Sequence, residues 1–444
     1  MKVILVLLDG LGDRSYTALG HRTPLEAARS PNLDRLASHG CSGLFHASTH
    51  GLCLPSETAH YRLFGYGMDE FPGRGLLEGV GYGVPFDDRD VLSVAHLFHA
   101  AADAEGGPLL LKQTWKTLQA EDAELKALYS GLTPFEANGV QFQLHRVRGN
   151  EGILVMKGPV SSHVSDSDPM AKGRPMGRIV PLEPNPEPKE SDRTARALNA
   201  FLVHCRRQLT AHDTNRTRIE RGMPPVDFLA TQRCGRRVLV DPFCERWGMK
   251  ALMIATGAVF AGIATELGMT FHQAQDGEDP GVDLAERIGV ALADTQHEFV
   301  HVHTKAPDEA AHRGDPTGKA AVIEELDRGL ESLVDAVETR EDLLIAVTAD
   351  HSTPCGTPLI HSGETVPVLM AGPTVRRDNV RGFDEIQAAR GALGLLRGEE
   401  LMLTLLNAAG RSALFGHRLG AKQRPYVPKD YDPFHDTDGS DPVV

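Results

Sequence analysis

The sequence predicts an α/β protein with a mainly parallel sheet, helices on both faces of that sheet, and a smaller inserted α+β domain. Strand-length apolar runs alternate with amphipathic helical segments over about the first 80 residues and again after about residue 225. This alternation is typical of a parallel sheet built from βα units. The chain has 444 residues, more than the roughly 250–300 that one hydrophobic core organises, which predicts two domains.

The core elements follow from their apolar patterns. VILVLL (3–8) predicts the first strand, and TPLEAARSPNLDRLASHG (23–40) predicts a helix, because its apolar residues recur at helical spacing before Gly40 stops it. Further runs, each bounded by turn or helix signals, predict the rest of the sheet. These runs are DFLAT (227–231), RRVLV (236–240), ALMIAT (251–256), FVHVHT (299–304), LLIAVT (343–348) and VPVLMAG (366–372).

The middle of the chain predicts the inserted domain. FQLHRVR (142–148) and GILVMKG (152–158) indicate a hairpin that turns at Gly149 and Asn150. KTLQAEDAELKALYSGL (116–132) indicates a helix that ends at a glycine. A hairpin combined with a helix is typical of a small α+β domain.

The domain limits follow from these changes of pattern. We expect a discontinuous core domain of residues 1–87 and 190–427, and an inserted lid domain of residues 88–185. The proline-rich, acidic stretch 179–192 predicts a hinge. Residues 428–444 lack periodicity and predict an extended or disordered tail.

The composition argues against several classes of protein. The net charge of −14 is unfavourable for a nucleic-acid grip, which needs a basic face, and it calls for bound cations wherever an anion is held. The N-terminal apolar run is too short for a signal peptide, and 251–269 contains glycines and Glu266, so it predicts a strand and a buried helix rather than a membrane span. Six scattered cysteines without a CxxC motif indicate reduced thiols in the cytoplasm.

Several strand-like runs end in side chains that bind metals. Asp9 closes the first run, and Asp350 and His351 follow LLIAVT. After FVHVHT, KAPDEAAH places Asp308 and His312 at i and i+4 of a short helix with a proline near its start. Because the carboxyl ends of parallel strands meet at one edge of a sheet, we expect these side chains to lie together.

Ser56 and His361 complete this set. Ser56 follows Pro55 and precedes a helical pattern, so helix N–H groups and the positive end of the helix dipole are expected beside its hydroxyl. Alone, each of these residues is more often a helix cap, a turn residue or a packed histidine. Their occurrence together favours a site with a serine nucleophile and two cations.

The residue types indicate the chemistry. Mixed Asp and His ligands are typical of zinc and manganese. Two such ions about 4 Å apart activate an attacking oxygen and neutralise charge on a phosphoryl group. A serine hydroxyl is a poor nucleophile at neutral pH unless a base or a metal lowers its pKa. The set therefore predicts phosphoryl-transfer or phosphate-ester chemistry on a small phosphorylated metabolite, with two divalent ions, Mn²⁺ or Zn²⁺, as cofactors.

The same residues lie in segments that resemble the archaeal-type, 2,3-bisphosphoglycerate-independent phosphoglycerate mutases of the alkaline phosphatase superfamily. The resemblance covers residues 1 to about 427. Its segments are LLDGLGDR (7–14), TPLEAARSPNLDRLASHG (23–40), LPSETAHYRLFGY (54–66), GRGLLEGVGYGV (73–84), HVSDSDP (163–169), HVHTKAPDEAAHRGD (301–315), TADHSTP (348–354) and HSGETVPVLMAGP (361–373).

This resemblance implies an alkaline-phosphatase-like fold, with a smaller domain that closes over the site, and an isomerase of glycolysis. It implies that Ser56 takes the phosphoryl group as a phosphoserine. The ligands that it implies are Asp9, Ser56, Asp350 and His351 for one ion, and Asp308, His312 and His361 for the other.

Two segments depart from the family pattern. The nucleophile loop reads LPSE (54–57) in place of PGSD. LLLKQTWKTLQ (109–119) holds Lys112 and Lys116 where the family carries an arginine-rich stretch. The bidentate contacts that arginine makes to an anion are therefore missing at that place.

Other cations are expected to bind the substrate. The candidates are Lys305, on the core strand before Asp308, and Arg146 on the predicted hairpin. Arg146 and Arg148 alternate with Val147, so both are expected on one face of their strand.

Three functions are compatible with these residues. A phosphomutase keeps its intermediate under a closing lid that carries anion-binding groups. A metal-dependent phosphatase or phosphodiesterase releases the phosphoryl group to water, and the missing arginine stretch favours it. A metal-bearing scaffold without activity is opposed by the complete ligand set. We favour the phosphomutase, because the resemblance extends through the inserted domain.

Overall fold

The computed structural model describes residues 1–114, 117–414, 424–425 and 434–435. Its strands are β1 (Lys2–Leu8), β2 (Gly40–His46), β3 (Val91–Ala101), β4 (Leu110–Gln113), β5 (Phe135–Ala137), β6 (Val140–Arg148), β7 (Glu151–Lys157), β8 (Phe228–Gly235), β9 (Ala251–Ala255), β10 (Thr270–Gln273), β11 (Phe299–Thr304), β12 (Leu343–Thr348), β13 (Val366–Ala371), β14 (Gly394–Arg397), β15 (Ala413–Leu414) and β16 (Arg424–Pro425).

A short 3-10 helix, Thr17–Leu19, precedes the α-helices. These are α1 (Pro24–Ala27), α2 (Pro31–Ser38), α3 (Ser56–Leu63), α4 (Arg74–Gly81), α5 (Asp122–Tyr129), α6 (Pro188–Ala211), α7 (Asp213–Glu220), α8 (Phe243–Trp247), α9 (Ala258–Glu266), α10 (Pro280–Ala293), α11 (Ala306–His312), α12 (Pro316–Gly329), α13 (Glu331–Thr339), α14 (Glu385–Ala388) and α15 (Glu400–Ala408).

The first of two compact units comprises residues 1–65, 243–251 and the chain from Asp276 onward. Six of its strands lie in the order β11-β1-β12-β13-β2-β14. β1 is parallel to both of its neighbours, and only β13 runs antiparallel to the strands beside it. Helices flank this sheet, with α10 packed on β11, α13 on β12, and α2 on β2 and β13. The predicted α/β class, with its mainly parallel sheet, is confirmed.

The central strand shows why this sheet forms. Val3 to Leu8 are all fully buried, as expected for a parallel strand that is covered on both faces and therefore reads as a continuous apolar run. β12 is equally buried along its whole length. β1 and β12 thus lie in the interior of the sheet.

The second unit comprises residues 66–242 and 252–275. Its antiparallel sheet has the order β4-β3-β7-β6-β5, and β8 also pairs with β3 in antiparallel orientation. Helix α6 packs against β5 and β8, and its Phe201 stacks on Phe142 of β6 with 4.7 Å between the ring centroids. Such stacking stabilises the core by more than the burial of the two rings alone.

This unit is larger than the predicted insert of residues 88–185. β8 belongs to it because its backbone pairs with β3, and α6 belongs to it because Leu198 and Phe201 join the hydrophobic core of the antiparallel sheet. Residues from 190 to 242 therefore lie in the second unit rather than in the core domain to which the sequence assigned them.

Two predicted elements of the core are wrong in detail. RRVLV (236–240) is irregular chain, because Arg236 and Arg237 form ion pairs with Glu187 and Glu266 instead of entering a sheet. The helix predicted over residues 23–40 is divided into α1 and α2. Pro31 causes this break, since a proline disfavours helical backbone in the residue before it.

The predicted elements of the second unit are mostly confirmed. β6 and β7 form the expected antiparallel hairpin, with Gly149 at positive φ in the turn. The helix expected over 116–132 is shorter, because it begins at the capping box of Glu121 and Glu124. Residues 188–192 of the predicted hinge are helical instead, because α6 begins at Pro188.

Residues 251–269 form β9 and α9, the expected strand and helix. Within the described part of the chain, no helix has both the length and the apolar character needed to cross a membrane. Lys116 lies outside the described residues, as does most of the predicted tail, 428–444.

Candidate active site

Three neighbouring parallel strands deliver acidic side chains to one edge of the first unit's sheet. Asp9 directly follows β1, Asp350 comes two residues after β12, and Asp308 lies in the first turn of α11, just beyond β11. Because β1 lies between β11 and β12 and is parallel to both, these strand ends meet. The predicted convergence of the three carboxylates is therefore present.

The predicted ligands form two groups that share one carboxylate. Donor atoms of Asp308, His312 and His361 all lie within 4.8 Å of one another, and so do those of Asp9, Asp308 and His351. Asp308 Oδ1 is 3.4 Å from His312 Nε2 and 3.7 Å from His361 Nε2. Asp308 thus belongs to both donor groups, whereas the resemblance assigns it to one ion alone.

His351 connects the two groups. Its Nε2 lies 3.4 Å from Asp9 Oδ1 and 3.3 Å from Asp350 Oδ2. Its ring stacks on that of His361, with 3.8 Å between the centroids. His361 in turn donates from Nδ1 to the carbonyl oxygen of Leu54 at 2.8 Å, which ties the loop before Ser56 to the second imidazole.

Ser56 is the first residue of α3, with Pro55 as the N-cap. Its buried hydroxyl oxygen lies 3.0 Å from His351 Nε2 and 3.5 Å from Asp9 Oδ1. The first N–H groups of a helix have no acceptor within the helix, so this end of α3 suits an anion. The serine therefore stands among the same atoms that are predicted to bind one ion.

Like charges are crowded in this site. Burial, together with the neighbouring carboxylates of Asp9 and Asp308, raises the pKa of Asp350 well above its ordinary value. Burial alone would also raise the pKa of Asp9, but the charge of Lys305 and the hydrogen bond from His303 outweigh it and hold that pKa well below the ordinary value. The carboxylates therefore lack enough cationic partners to be ionised together at low cost.

A divalent cation fits this donor set. Asp350 Oδ2 is buried and accepts no hydrogen bond within the described part of the chain. Burial lowers the pKa of His351 to about 4, so its imidazole is neutral at physiological pH, the form that binds metals. Clustered carboxylates with an unsatisfied buried oxygen and neutral imidazoles are the donors that zinc and manganese take.

Three residues beside the site were not predicted from the sequence. His303 Nε2 is 3.0 Å from Asp9 Oδ2, and His60 donates from Nδ1 to the Ser56 carbonyl oxygen at 2.7 Å. The Thr353 hydroxyl donates to Asp308 Oδ1 at 2.8 Å. Groups of this kind orient ligands. A histidine inside the apolar run FVHVHT, and His60 four residues after Ser56, were signals that could have identified two of them.

Lys305, a predicted substrate contact, lies beside the clustered carboxylates. Its ammonium is 4.0 Å from Asp9 Oδ2 and 3.9 Å from Asp308 Oδ2, and its side chain is 37% exposed. It also lines an open cavity of about 290 Å³. Lys305 therefore reaches both the carboxylate cluster and solvent.

Arg146, the predicted substrate contact on the hairpin, is bound to groups of its own unit. Arg146 forms an ion pair with Asp122 and donates from Nε to the Gly149 carbonyl oxygen at 2.9 Å. A register shift between Arg146 and Arg148 interrupts the strand alternation, so one side chain is 20% exposed and the other 74%. The expectation that both arginines share one face is therefore wrong, and the cause is a β-bulge.

Lys112, in the segment that lacks the arginines, is likewise paired. Its ammonium contacts the carboxylate of Asp103. Both side chains lie in the second unit. The ion pair neutralises the positive charge of Lys112 in the segment where the family carries its arginines.

Comparison with known proteins identifies the family. The Metalloenzyme superfamily matches residues 1–408. The chain is 39% identical over 437 residues to the 2,3-bisphosphoglycerate-independent phosphoglycerate mutase 2 of Methanocaldococcus jannaschii, covering 97% of this chain and 98% of that protein. It is 34% identical over 425 residues to the corresponding mutase of Methanopyrus kandleri, covering 94% and 98%.

Solved structures agree with this match. A protein from Pyrococcus horikoshii superposes with a TM-score of 0.73 at 26% identity, covering 94% of this chain and 99% of that one. The cofactor-independent phosphoglycerate mutase of Thermoplasma acidophilum superposes with a TM-score of 0.61 at 29% identity, covering 92% and 100%. The chain therefore belongs to the metalloenzyme superfamily and, within it, to the family of 2,3-bisphosphoglycerate-independent phosphoglycerate mutases.

Proposed function

We propose that this protein is a metal-dependent phosphoglycerate mutase that moves the phosphoryl group between two hydroxyls of its substrate through a phosphoserine on Ser56. The observation that supports this most directly is the position of the Ser56 hydroxyl, 3.0 Å from His351 Nε2 and 3.5 Å from Asp9 Oδ1. The full-length similarity to named mutases supports the same reaction.

The cofactors in this proposal are two divalent ions, Mn²⁺ or Zn²⁺. One would be held by Asp9, Ser56, Asp350 and His351, and the other by Asp308, His312 and His361, with Asp308 also within reach of the first set. The unsatisfied Asp350 Oδ2 and the two donor groups support this assignment. When bound, such ions lower the pKa of a serine hydroxyl and neutralise charge on phosphoryl oxygens.

Ser56 performs both halves of the reaction. Its Oγ loses its proton and attacks phosphorus, the bond from phosphorus to the substrate oxygen breaks, and that oxygen takes up one proton, so the substrate becomes a diol acid that stays bound. The other hydroxyl of the bound acid then attacks the phosphoserine, loses its proton, and restores the Ser56 hydroxyl. No water is consumed, so the acid must stay in the site and solvent must be excluded between the two steps.

The residues around Ser56 support this role through their contacts. His60 holds the carbonyl of Ser56, and the first turn of α3 offers N–H groups to the phosphoryl oxygens. Lys305 is our candidate for the substrate anion, because its ammonium lies near the carboxylates and is still reached by solvent. We assign no substrate contact to Arg146, because its guanidinium is already paired with Asp122. We also propose that the second unit acts as the lid.

A related hydrolase is the second candidate. A phosphatase or phosphodiesterase needs water in place of the second hydroxyl and fewer groups to retain the intermediate. The ion pair that engages Lys112 favours this alternative, because it removes a cation from the place where the family carries its arginine-rich stretch. Product analysis separates the two candidates.

Product analysis of the Mn²⁺- or Zn²⁺-loaded enzyme with 3-phosphoglycerate tests the proposal. We expect 2-phosphoglycerate without matching release of inorganic phosphate, and no turnover after metal removal by chelation. Release of phosphate in place of the isomer would identify the hydrolase. Generic phosphate esters form the control, since a mutase transfers back only to a bound acceptor.

The site of action in this proposal is the cytoplasm, and the partner is a small phosphorylated metabolite rather than a nucleic acid or a membrane. The six cysteines are all free thiols, which suits a reducing compartment. The net charge of −14 opposes binding to nucleic acid.

A further inference from the structure

A lysine is completely buried directly behind the candidate active site. Lys319 lies in α12 and has no exposed surface. Its ammonium donates to the carbonyl oxygens of Gly10, Thr353 and Gly12 at 2.8, 2.9 and 3.1 Å, and to Asp13 Oδ2 at 3.0 Å. A lysine with no water contact and four oxygen acceptors is rare, because burying the charge is costly unless every donor is satisfied.

The counter-charge is equally buried. Both side chains of the Lys319–Asp13 ion pair have zero exposure. Asp13 Oδ1 accepts from the Tyr16 hydroxyl and the Arg14 N–H, each at 2.7 Å. The pair is therefore held by a network that leaves neither charge without a partner, the condition under which a buried ion pair is tolerated.

The acceptors of Lys319 belong to the turns that carry the predicted ligands. Gly10 follows Asp9 directly, and its N–H donates to Asp350 Oδ1 at 3.2 Å. Thr353 lies two residues after His351 and donates its hydroxyl to Asp308 Oδ1. One ammonium thus joins the backbone of the Asp9 turn to the backbone of the Asp350–His351 turn, and Thr353 extends the contact to Asp308.

These turns are packed tightly against each other. Gly10 has a positive φ of 67°, and a Cβ added there would come within 2.6 Å of Thr353 Oγ1 and 2.8 Å of Asp308 Cβ. Metal coordination tolerates errors of only about 0.2 Å in ligand distance. A small separation of the two turns would therefore displace donors from both predicted ion sites.

We infer that Lys319 is a positioning residue for the metal centre: it sets the spacing of the turns that carry Asp9, Asp350 and His351 without touching metal or substrate. This inference rests on the proposed function, because it assumes that these residues bind metal. A residue needed only for stability would change unfolding but leave the metal affinity of the folded protein unchanged.

The test is direct metal binding to the metal-stripped full-length chain. Lys319→Met removes the ammonium but leaves Asp13 charged and buried, which endangers folding. The double variant Asp13→Asn/Lys319→Met removes both charges and is the deciding variant. Arg328→Met, an exposed position on the same helix, is the matched control. The probes are Mn²⁺ titration calorimetry and the visible absorption of bound Co²⁺, with circular dichroism as the check of folding.

We expect the control and the unaltered protein to share one Mn²⁺ affinity and one Co²⁺ spectrum. The double variant should bind Mn²⁺ at least about tenfold more weakly, the lower end of the effect of groups that orient ligands, with changed Co²⁺ bands. A folded double variant with unaltered affinity and spectrum overturns the inference, as does one that fails to fold, since Lys319 would then serve the fold alone. If the unaltered protein binds neither ion, the proposed function itself fails.

Discussion

The carboxylates at the strand ends of the first unit differ from the charged side chains of the second unit. In the second unit, cations and carboxylates are matched in ion pairs. Examples are Arg146–Asp122, Arg148–Glu151, Arg218–Glu124, Arg237–Glu266 and Lys112–Asp103. In the first unit, Asp9, Asp308 and Asp350 crowd together, and Asp350 keeps a buried oxygen that accepts no hydrogen bond from any described residue.

This difference supports the proposed metal site. Buried charges without partners destabilise a fold, so they persist where a ligand supplies the missing charge. The carboxylates at the strand ends need cations that the chain does not provide in sufficient number, whereas the arginines of the hairpin already have their counter-charges. The comparison therefore favours a cation site at the strand ends and a structural role for the paired arginines.

The largest expected effect is that of Ser56→Ala. Because Ser56 Oγ is the proposed attacking atom, kcat should fall by roughly 10⁴-fold or more, as when other enzymes lose their nucleophile. Metal content should remain close to that of the unaltered protein, since the imidazoles and carboxylates are intact. Steady-state kinetics and elemental analysis measure the two quantities.

Ser130→Ala is the control for this substitution, because Ser130 is exposed in the second unit. It should leave both quantities unchanged. Appearance of a phosphorylated enzyme by intact mass in the Ser56→Ala variant would place the nucleophile elsewhere.

The ligand groups predict a graded loss of metal. Asp308 belongs to both groups, so Asp308→Asn should lower metal content by more than one ion per chain. His312→Ala and His361→Ala should each remove about one ion, and Asp350→Ala should affect the other ion. Elemental analysis after gel filtration measures this. Equal metal content in the Asp308 and His312 variants would mean that Asp308 serves one ion alone.

Substitution of one basic side chain in each unit makes the comparison of the units sharper. Lys305→Ala should lower kcat/KM at least tenfold, about 1.4 kcal/mol of transition-state stabilisation, because its ammonium lies at the unbalanced carboxylates. Arg146→Ala should leave kcat/KM within about twofold, since its guanidinium is engaged by Asp122. A larger effect at Arg146 than at Lys305 would contradict the assignment of the anion contact to the first unit.

The last expected effect concerns the stability of the first unit rather than activity, and it involves Glu385. Burial raises its pKa from 4.5 to about 7, against the hydrogen bond from Thr23. Because the folded pKa exceeds the unfolded one, its contribution to stability is complete below about pH 4.5 and is lost as pH rises through about 7. From about pH 5 to about pH 8, the unaltered protein should therefore lose about 2–3 kcal/mol relative to Glu385→Gln.

Urea unfolding of both proteins at the two pH values measures this difference. Thr339→Val, on an exposed helix position, serves as the control and should follow the unaltered protein. Parallel pH profiles for Glu385→Gln and the unaltered protein would mean that Glu385 ionises normally in the fold.

Much of the fold could be predicted because its signals are local. The buried run of β1, the Asp308–His312 helix and the hairpin at Gly149 are each visible in a short window of sequence. The failures have local causes as well. Pro31 divides one predicted helix, and RRVLV has the length of a strand but carries two arginines that form ion pairs.

The sequence by itself determined that Asp9, Asp350, His351 and Asp308, all side chains of the kind that bind metals, come just after strands. The parallel order of those strands brings their ends together. Only the tertiary structure decided that Asp308 lies within both ligand groups and that Arg146 is neutralised by Asp122. It also decided that β8 and α6 join the second unit. The physical reason is that such outcomes depend on distances between residues far apart in the chain, and periodicity records only neighbours.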